Sequence, residues 1–165
     1  MDTTNRSEPT KNLTSLERTA DRELVITRTI DGPPSLVFSA WTRAELFQQW
    51  WVPKSLGMSF VSCEVDARTG GGYRFVFRYG EHTMAFHGRY VEVTPHSRIV
   101  WTNEEAEDGA VTTLTFEPIG SKTRLTLHEL YPSKEALEAA LASGEKSCLD
   151  ETFGQLDELL ASLPN

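Results

Sequence analysis

The pattern of apolar and polar residues divides the chain into a polar start and a folded remainder. Residues 1–22 contain hardly any large apolar side chains. Residues 23–30 are rich in β-branched residues and are followed by Asp-Gly, which is typical of a strand that ends in a turn. Because a polar segment cannot bury enough surface to offset its ordering entropy, we predict a flexible tail over residues 1–22 and a single domain over residues 23–165.

A short helical region is predicted after the first strand. Pro33 and Pro34 favour a helix start. The sequence Thr-Arg-Ala-Glu at residues 42–45 matches a capping box, in which a hydroxyl and a carboxylate satisfy the first backbone N–H groups of a helix. Large apolar residues recur at helical spacing on both sides of this motif, up to Pro53. The pattern therefore predicts two short helices.

Between residues 60 and 130 the apolar residues alternate with polar ones, which is the period of a strand. Short turn sequences rich in glycine separate the alternating stretches. Because short connections join antiparallel neighbours, we predict an antiparallel meander. The six predicted strands span residues 60–65, 73–79, 84–93, 98–104, 111–117 and 123–130. Together with residues 23–30 they make a sheet of seven strands.

The last part of the chain is predicted to be helical. Ser133 is a candidate N-cap for a helix over residues 134–142, and Ser143-Gly144 predicts a break after it. In the final helix, apolar residues recur at spacings of four and three, and acidic residues occupy the opposite face. The apolar stripe consists of Leu149, Phe153, Leu156, Leu160 and Leu163. This order of elements predicts an α+β fold in which a long C-terminal helix covers one face of the sheet.

Composition narrows the classes of function. The chain has 165 residues, 39% of them hydrophobic, and a formal net charge of −8. Nucleic-acid binding needs concentrated Lys and Arg, so the acidic balance argues against it. No apolar run approaches the ~20 residues of a membrane span, and the start of the chain lacks the pattern of a signal peptide. With two cysteines and no Cys-x-x-Cys pair, we expect a reduced, cytoplasmic protein without a cofactor.

The residue types that carry chemistry form no recognised catalytic or metal motif. Three glycines at residues 70–72 precede a predicted strand, so no helix N-terminus would face a phosphate there. His82 and His87 are five residues apart and would lie on opposite faces of a strand. His128 and Glu129 are candidates for an acid–base pair, but adjacent strand residues also diverge, which favours a structural histidine. We therefore predict neither catalytic residues nor a metal site.

Aromatic residues are concentrated on one face of the predicted strands. Residues 73, 75, 77 and 79 are aromatic, whereas Arg74 and Arg78 occupy alternate positions. Because an unpaired buried guanidinium is costly, the arginines should face solvent and the aromatic rings should face the final helix. Such a set fills a core, and part of it can also line a ligand cavity. The predicted ligand-binding residues are Trp41, Trp50, Phe75, Phe77, Phe86, Trp101, Leu149 and Phe153.

Several motifs, in order along the chain, resemble those of one family. Residues 28–42 resemble its first strand, turn and helix, and residues 45–53 resemble its Trp-Trp-x-Pro signature. Residues 66–75 resemble its Asp-x-Arg-x-Gly-Gly-x-aromatic-x-Phe block. Further matches lie at residues 88–95, 98–100 and 123–127. The chain is similar to the activator of heat-shock protein 90 ATPase homologue 1-like family (C-terminal domain), within the START-like (SRPBCC) helix-grip superfamily.

The resemblance implies a curved antiparallel sheet that wraps around a long C-terminal helix, with a hydrophobic cavity between them. It first implies non-enzymatic binding of a small hydrophobic or amphipathic ligand. A second alternative is a chaperone-interaction module, which the seven acids and two bases of residues 133–165 would suit as a docking face. A third is a polyketide cyclase-like enzyme, which would need polar groups such as His128 or Glu129 inside the cavity. The expected partners are thus a small hydrophobic molecule, a chaperone, or a second copy of the chain in a homodimer.

Overall fold

Strands and helices follow each other in the predicted order, with one strand added at the start. The computed structural model describes residues 14–103, 110–142 and 148–163. The strands are β1 (Ser15–Ala20), β2 (Glu23–Ile30), β3 (Ser59–Val65), β4 (Gly72–Tyr79), β5 (His82–Thr94), β6 (Arg98–Thr102), β7 (Val111–Ile119) and β8 (Lys122–Leu130). The helices are α1 (Pro34–Thr42), α2 (Ala44–Phe47), α3 (Lys134–Ala142) and α4 (Leu149–Ser162), with a 3₁₀ turn at Lys54–Leu56. This is an α+β architecture.

All strands belong to one antiparallel sheet, in the order β1-β2-β8-β7-β6-β5-β4-β3. Strands β3 to β8 form a meander, as their short connections predict. Strand β2, from the start of the domain, pairs with β8, so that Glu23 lies opposite Leu130 and Ile30 opposite Thr123. The two edges of the sheet are therefore β1 and β3.

The sheet has eight strands, so the prediction of seven is wrong by one. The added strand, β1, lies within the segment for which the sequence predicted a flexible tail. It pairs with β2 from Ser15 opposite Thr27 to Ala20 opposite Glu23, and all six of its residues are exposed. Because β1 is held by backbone pairing and not by apolar burial, it leaves no hydrophobic alternation in the sequence. Residues 15–20 therefore belong to the sheet.

Two of the predicted helix starts have different outcomes. The capping box is wrong, because Thr42 still belongs to α1, where its hydroxyl donates to Phe38 O at 2.9 Å. Helix α2 begins after Arg43 without a side-chain cap. The N-cap at Ser133 is confirmed, since Ala136 N donates to Ser133 Oγ at 3.0 Å. The predicted break at Ser143-Gly144, and the last residue of the strand predicted over 98–104, lie outside the described residues.

The inward face of the sheet packs against α1 and α4. One row of this face runs through Ile26, Leu127, Leu114 and Ile99, which lie opposite one another on neighbouring strands and are almost fully buried. Helix α4 buries Phe153, Leu156 and Leu160 in the same core. Arg74 and Arg78 are exposed on the other face of β4, as their alternation predicts.

Acidic residues of α4 attach this helix to the rest of the molecule. Asp157 Oδ2 lies 2.8 Å from the buried Arg28 Nη2, and Asp157 Oδ1 accepts a hydrogen bond from Asp31 N at 2.9 Å. Glu151 accepts hydrogen bonds from the hydroxyl and the backbone N–H of Ser55. These contacts hold α4 to the 3₁₀ turn near its start and to β2 in its second half.

Candidate functional site

A cavity of about 810 Å³ lies between the inward face of the sheet, the α1–α2 region, α3 and α4. Sites for small molecules typically have volumes of about 300–1,000 Å³ and mostly apolar walls. Most of the lining side chains are aromatic or aliphatic, and a smaller polar group lies near β7, β8 and the start of α3. The cavity is therefore large enough for a small ligand and has two chemically different parts.

The helical wall of the cavity is made by Trp41 of α1, Phe47 of α2 and Trp51, which follows α2. Phe47 stacks on Trp51 with ring centroids 4.9 Å apart, and Trp41 lies 5.7 Å from Trp101 of β6. Phe47 and Trp51 come together because a helical turn places positions four apart on the same side. The helical wall thus meets the sheet through aromatic contacts.

The sheet wall is made by Tyr73, Phe75 and Phe77, which alternate along β4 and so share one face. Phe75 lies opposite Phe86 of β5 and stacks on Phe47 with centroids 5.0 Å apart. Phe86 is only partly buried. The alternation that the sequence shows therefore produces a continuous aromatic wall from β4 to the helices.

Seven of the eight residues predicted for ligand binding line this cavity. They are Trp41, Phe75, Phe77, Phe86, Trp101, Leu149 and Phe153. Leu149 and Phe153 lie four residues apart on α4 and close the cavity opposite the sheet. The structure brings these side chains around one space, and their contact with a ligand stays a prediction.

Trp50 does not line the cavity, so its placement there was wrong. Its side chain is fully buried behind Trp41, with ring centroids 4.9 Å apart, and its Nε1 donates to Ala40 O at 3.0 Å. Adjacent residues in a helical turn point about 100° apart, so Trp51 faces the cavity while Trp50 faces the core. Trp50 instead supports the helical wall from behind.

The polar part of the cavity contains Glu129, Thr112, Tyr131 and Asn103. Glu129 of β8 is 8% exposed, lies opposite Thr112 of β7, and accepts a hydrogen bond from Tyr131 Oη at 2.7 Å. None of them was among the predicted ligand-binding residues, although the sequence analysis named Glu129 as a group that a cyclase-like enzyme would need in the cavity. Glu129 was detectable, because it follows Leu125 and Leu127 at intervals of two and so shares their inward face.

Hydrogen bonds fix the wall between the polar and aromatic parts. Tyr73 Oη donates to Thr102 O at 2.8 Å, and Asn103 Nδ2 donates to Ala110 O at 2.8 Å.

The pKa of the Tyr90 phenol is raised above its ordinary value, mainly because the side chain is buried. Electrostatic interactions with Cys63 and Asp66 raise this pKa further. The Tyr90 phenol therefore stays neutral at physiological pH.

His128 and Glu129 lie on opposite faces of the sheet, as predicted for neighbours in a strand. His128 Nε2 is 2.7 Å from Glu23 Oε1, away from the cavity.

The two cysteines lie in different places. Burial raises the pKa of the Cys63 thiol to about 11. Cys148 lines the cavity at the start of α4. In the described part of the chain, no three His, Cys, Asp or Glu side chains come together as metal ligands do.

The family described as "Activator of Hsp90 ATPase homolog 1-like protein" matches residues 31–161. The chain belongs to this family. The match confirms the family that the motifs at residues 45–53 and 66–75 resemble. It spans α1 and nearly all of α4, so it includes the aromatic residues of the helical wall and of the sheet wall.

Solved structures of several bacterial proteins have the same fold. A protein of Nitrosomonas europaea is 28% identical, with a TM-score of 0.78, over 87% of this chain and 97% of that one. A protein of Rhodobacter sphaeroides is 24% identical, with a TM-score of 0.85, over 92% of this chain and 100% of that one. The AHSA1-like protein of Aeromonas hydrophila is 17% identical, with a TM-score of 0.67, over 86% and 98%. This agreement supports the α+β, helix-grip type of fold.

None of the functionally curated proteins matches the chain. Among the described residues, no helix has the length and apolar character needed to cross a membrane.

Proposed function

We propose that this family member binds a small hydrophobic or amphipathic molecule, without catalysing a reaction, in the cavity between the sheet and α4. The observation that carries the proposal is the cavity of about 810 Å³ with aromatic walls on both the sheet side and the helix side. Removing apolar ligand surface from water contributes about 25 cal/mol per Å². The aromatic walls offer such a surface in an already formed site, which keeps the entropic cost of binding low.

The polar part of the cavity supports an amphipathic ligand over a purely apolar one. Glu129, Thr112 and Asn103 line one region, and the aromatic residues of β4 and the α1–α2 region line the other. A polar group of a ligand would reach hydrogen-bond partners there while its apolar part packs against the rings. A wholly apolar ligand would leave those polar groups without such a contact.

Filling the cavity tests the proposal. Thr152 lines the cavity on α4, and Ala161 is exposed on the same helix. We expect Thr152→Phe to reduce binding of apolar and aromatic probes, whereas the matched Ala161→Phe variant should bind them as wild type does. Circular dichroism and thermal unfolding check that both variants are folded.

Tryptophan emission and native mass spectrometry provide the readouts. Trp41, Trp51 and Trp101 line the cavity, so a bound ligand should alter their fluorescence. Native mass spectrometry of the purified protein with fatty acids, alcohols, amines and aromatic compounds gives stoichiometry. If no member of the panel binds or raises the melting temperature, the proposed function is wrong.

A chaperone-interaction module is the second candidate, because the family description names an activator of the Hsp90 ATPase. The acidic face of α4 gives it limited support. Asp150 accepts a hydrogen bond from Thr14 N at 2.9 Å, and Glu151 and Asp157 hold α4 to other elements. Glu158 is exposed. An unchanged ATPase rate of Hsp90 at saturating concentrations of this chain would exclude this candidate.

A cyclase-like enzyme has less support than either candidate. Glu129 lies in the cavity wall, but His128, the other half of the candidate acid–base pair, contacts Glu23 on the outer face. General acid–base catalysis needs its groups within hydrogen-bond reach of the reacting atoms. We therefore assign Glu129 to ligand binding.

A further inference from the structure

We propose that Gln155 of α4 is a positioning residue that holds Trp51 in the helical wall and so sets how tightly the cavity binds an aromatic ligand. The proposal rests on the proposed function and gives a role to a side chain that does not itself line the cavity. It follows from three hydrogen bonds of the buried Gln155 amide and from the place of Trp51 between the backbone groups that they hold.

Gln155 is a polar residue inside the molecule. Its side chain is 9% exposed and precedes the fully buried Leu156. Burying an amide costs free energy unless its polar atoms are hydrogen-bonded. Oε1 accepts a hydrogen bond from Lys54 N at 2.8 Å, and Nε2 donates to Trp50 O and to Val52 O, both at 2.9 Å. The two hydrogens of Nε2 therefore have two acceptors, and the amide is satisfied by backbone groups of one short segment.

That segment, residues 50–54, leads from α2 into the 3₁₀ turn. The two residues between those that Gln155 contacts are Trp51 and Pro53, and both line the cavity. The backbone of the segment is thus bonded to α4, while its intervening side chains form part of the cavity wall. Gln155 therefore fixes the position of this part of the wall relative to α4.

The other contacts of Trp51 define its position less strictly. Its ring stacks on Phe47 with centroids 4.9 Å apart and meets Trp41 edge-on at 5.6 Å. Aromatic pairs are favourable in several offset and edge-on arrangements, so such contacts allow a ring to slide and tilt. Hydrogen bonds depend more strongly on distance and angle. The Gln155 amide, more than the neighbouring rings, therefore decides where the Trp51 side chain lies.

A double-mutant cycle tests the proposal with the neutral aromatic probe N-phenyl-1-naphthylamine. Its affinity for the full chain is measured by fluorescence titration at pH 7. We expect Gln155→Met, which keeps the size of the side chain and removes its hydrogen bonds, to weaken binding about fivefold or more. Trp51→Leu should also weaken binding. In the Trp51→Leu background, Gln155→Met should change the affinity less than about twofold, because the residue through which it acts is gone.

A spectroscopic readout and a matched control separate positioning from general stability. Without the probe, Gln155→Met should increase acrylamide quenching of tryptophan emission, and Trp51→Leu should abolish this increase. Thr123→Val is the control. The Thr123 hydroxyl is fully buried and donates to Gly32 O at 2.7 Å, but it does not line the cavity. Removing this bond should lower the melting temperature and leave the affinity within about twofold of wild type.

Each outcome supports or overturns the proposal. If Gln155→Met binds the probe as wild type does, or loses as much affinity with Trp51→Leu as without it, the proposal is wrong and ligand binding stands. An equal loss in Thr123→Val would also overturn it. If wild type does not bind the probe, the proposal fails, and the wider panel and Thr152→Phe decide the proposed function separately.

A second variant covers a failure of Gln155→Met to fold. Gln155→Glu keeps the acceptor for Lys54 N and removes both donors, so it takes the same place in the cycle with the same expected result. Trp51→Leu does not depend on either variant. If it binds the probe as tightly as wild type, Gln155 cannot act through Trp51, and the proposal is wrong.

Discussion

Single residues shape the cavity wall through the absence of a side chain as well as through the side chains that line it. Gly88 of β5 lies opposite Tyr73 of β4. A Cβ atom at position 88 would lie 1.8 Å from Thr102 O and 2.6 Å from Tyr73 Oη. The missing side chain lets the phenol of Tyr73 cross β5 and donate to Thr102 O. Gly88 thus holds a lining residue in place without lining the cavity itself.

Alanine substitutions at two glycines should have opposite effects. We expect Gly88→Ala to destabilise the fold by at least about 1–3 kcal/mol, because the clash involves backbone that must move. Gly154 lies within α4 with open space around its position, so Gly154→Ala should stabilise the fold by about 0.5–1 kcal/mol. Urea unfolding measures both changes. Equal effects of the two substitutions would contradict the assigned role of Gly88.

The two cysteines should differ in reactivity. Burial raises the pKa of Cys63 from 9.0 to about 11, so at pH 8 its thiolate population falls about a hundredfold. In a Cys148→Ser background, we expect maleimide to modify Cys63 far more slowly in the folded chain than in urea. Samples quenched at successive times and analysed by mass spectrometry give the rates of maleimide modification. Similar rates in both states would show that partial burial does not suppress the reactivity of Cys63.

At this scale the sequence predicts aromatic lining residues well and polar ones poorly. Phe75 and Phe77 are identified by their alternation with Arg74 and Arg78, because the energetic penalty of burying the arginines fixes the face. Glu129 was not among the predicted ligand-binding residues because an acidic residue suggests solvent exposure, although its phase in β8 indicates the opposite. The direction of Trp50 depends on where a helix ends, which the sequence locates only to within a few residues.

At the scale of elements, α4 is held by specific polar contacts in addition to its apolar stripe. Arg28 extends from the sheet under Phe153, with its guanidinium carbon 5.8 Å from the ring centroid, and reaches Asp157 on the helix. The Arg28 side chain is 4% exposed. The ion pair therefore links β2 to α4 in a largely dehydrated environment.

Breaking this ion pair should destabilise the fold strongly. We expect Asp157→Ala to cost about 3–5 kcal/mol, because it leaves the Arg28 guanidinium buried without its carboxylate. The double variant Arg28→Met, Asp157→Ala should recover part of the loss. Glu158→Gln, at an exposed position of the same helix, is the matched control and should change the free energy of unfolding by less than about 0.5 kcal/mol. A similar loss in the control would show that the effect is not due to the ion pair.

The attachment of α4 to the 3₁₀ turn should depend on pH. Hydrogen bonds from the Ser55 hydroxyl and backbone N–H lower the pKa of Glu151 below its ordinary value of 4.5. A carboxyl group whose pKa is lower in the folded state stabilises the fold above the unfolded-state value, and this contribution is lost as pH falls. We expect the difference in melting temperature between wild type and Glu151→Gln to be largest near neutral pH and to shrink below pH 4.5. A difference in melting temperature that does not change with pH would contradict this role of the Glu151 carboxylate.

Elements with an apolar face were predictable from the sequence, and elements held only by the backbone were not. Strands β4 and β8 alternate clearly, and α4 has an unbroken stripe of apolar residues. Strand β1 has no buried face, so its existence depends on the free edge of β2, which lies in another part of the sequence. The start of α2 was misplaced because the hydroxyl of Thr42 bonds back to its own helix instead of capping the next one.

At the scale of the whole molecule, β1 covers one edge of the sheet. Unpaired strand edges are sites of association between molecules, and β2 would become such an edge without β1. We expect removal of residues 1–21 to increase light scattering on heating more than it lowers the free energy of unfolding, since β1 buries little apolar surface. Urea unfolding and static light scattering distinguish the two effects. A truncated chain that unfolds far more easily but stays monomeric would contradict this role.

The pairing of β2 with β8 has a consequence for the order of events during synthesis. Partners in this pair are about a hundred residues apart in the chain, so the ribosome must release nearly the whole domain before they can meet. Until then β2 can pair only with β1, whereas β3 to β7 can already form hairpins with their sequence neighbours. Closing such a long loop before any contact compensates for it makes the step slow. The nascent chain therefore assembles its sheet from the β3 edge towards β8, and the pairing of β8 with β2 completes the sheet last.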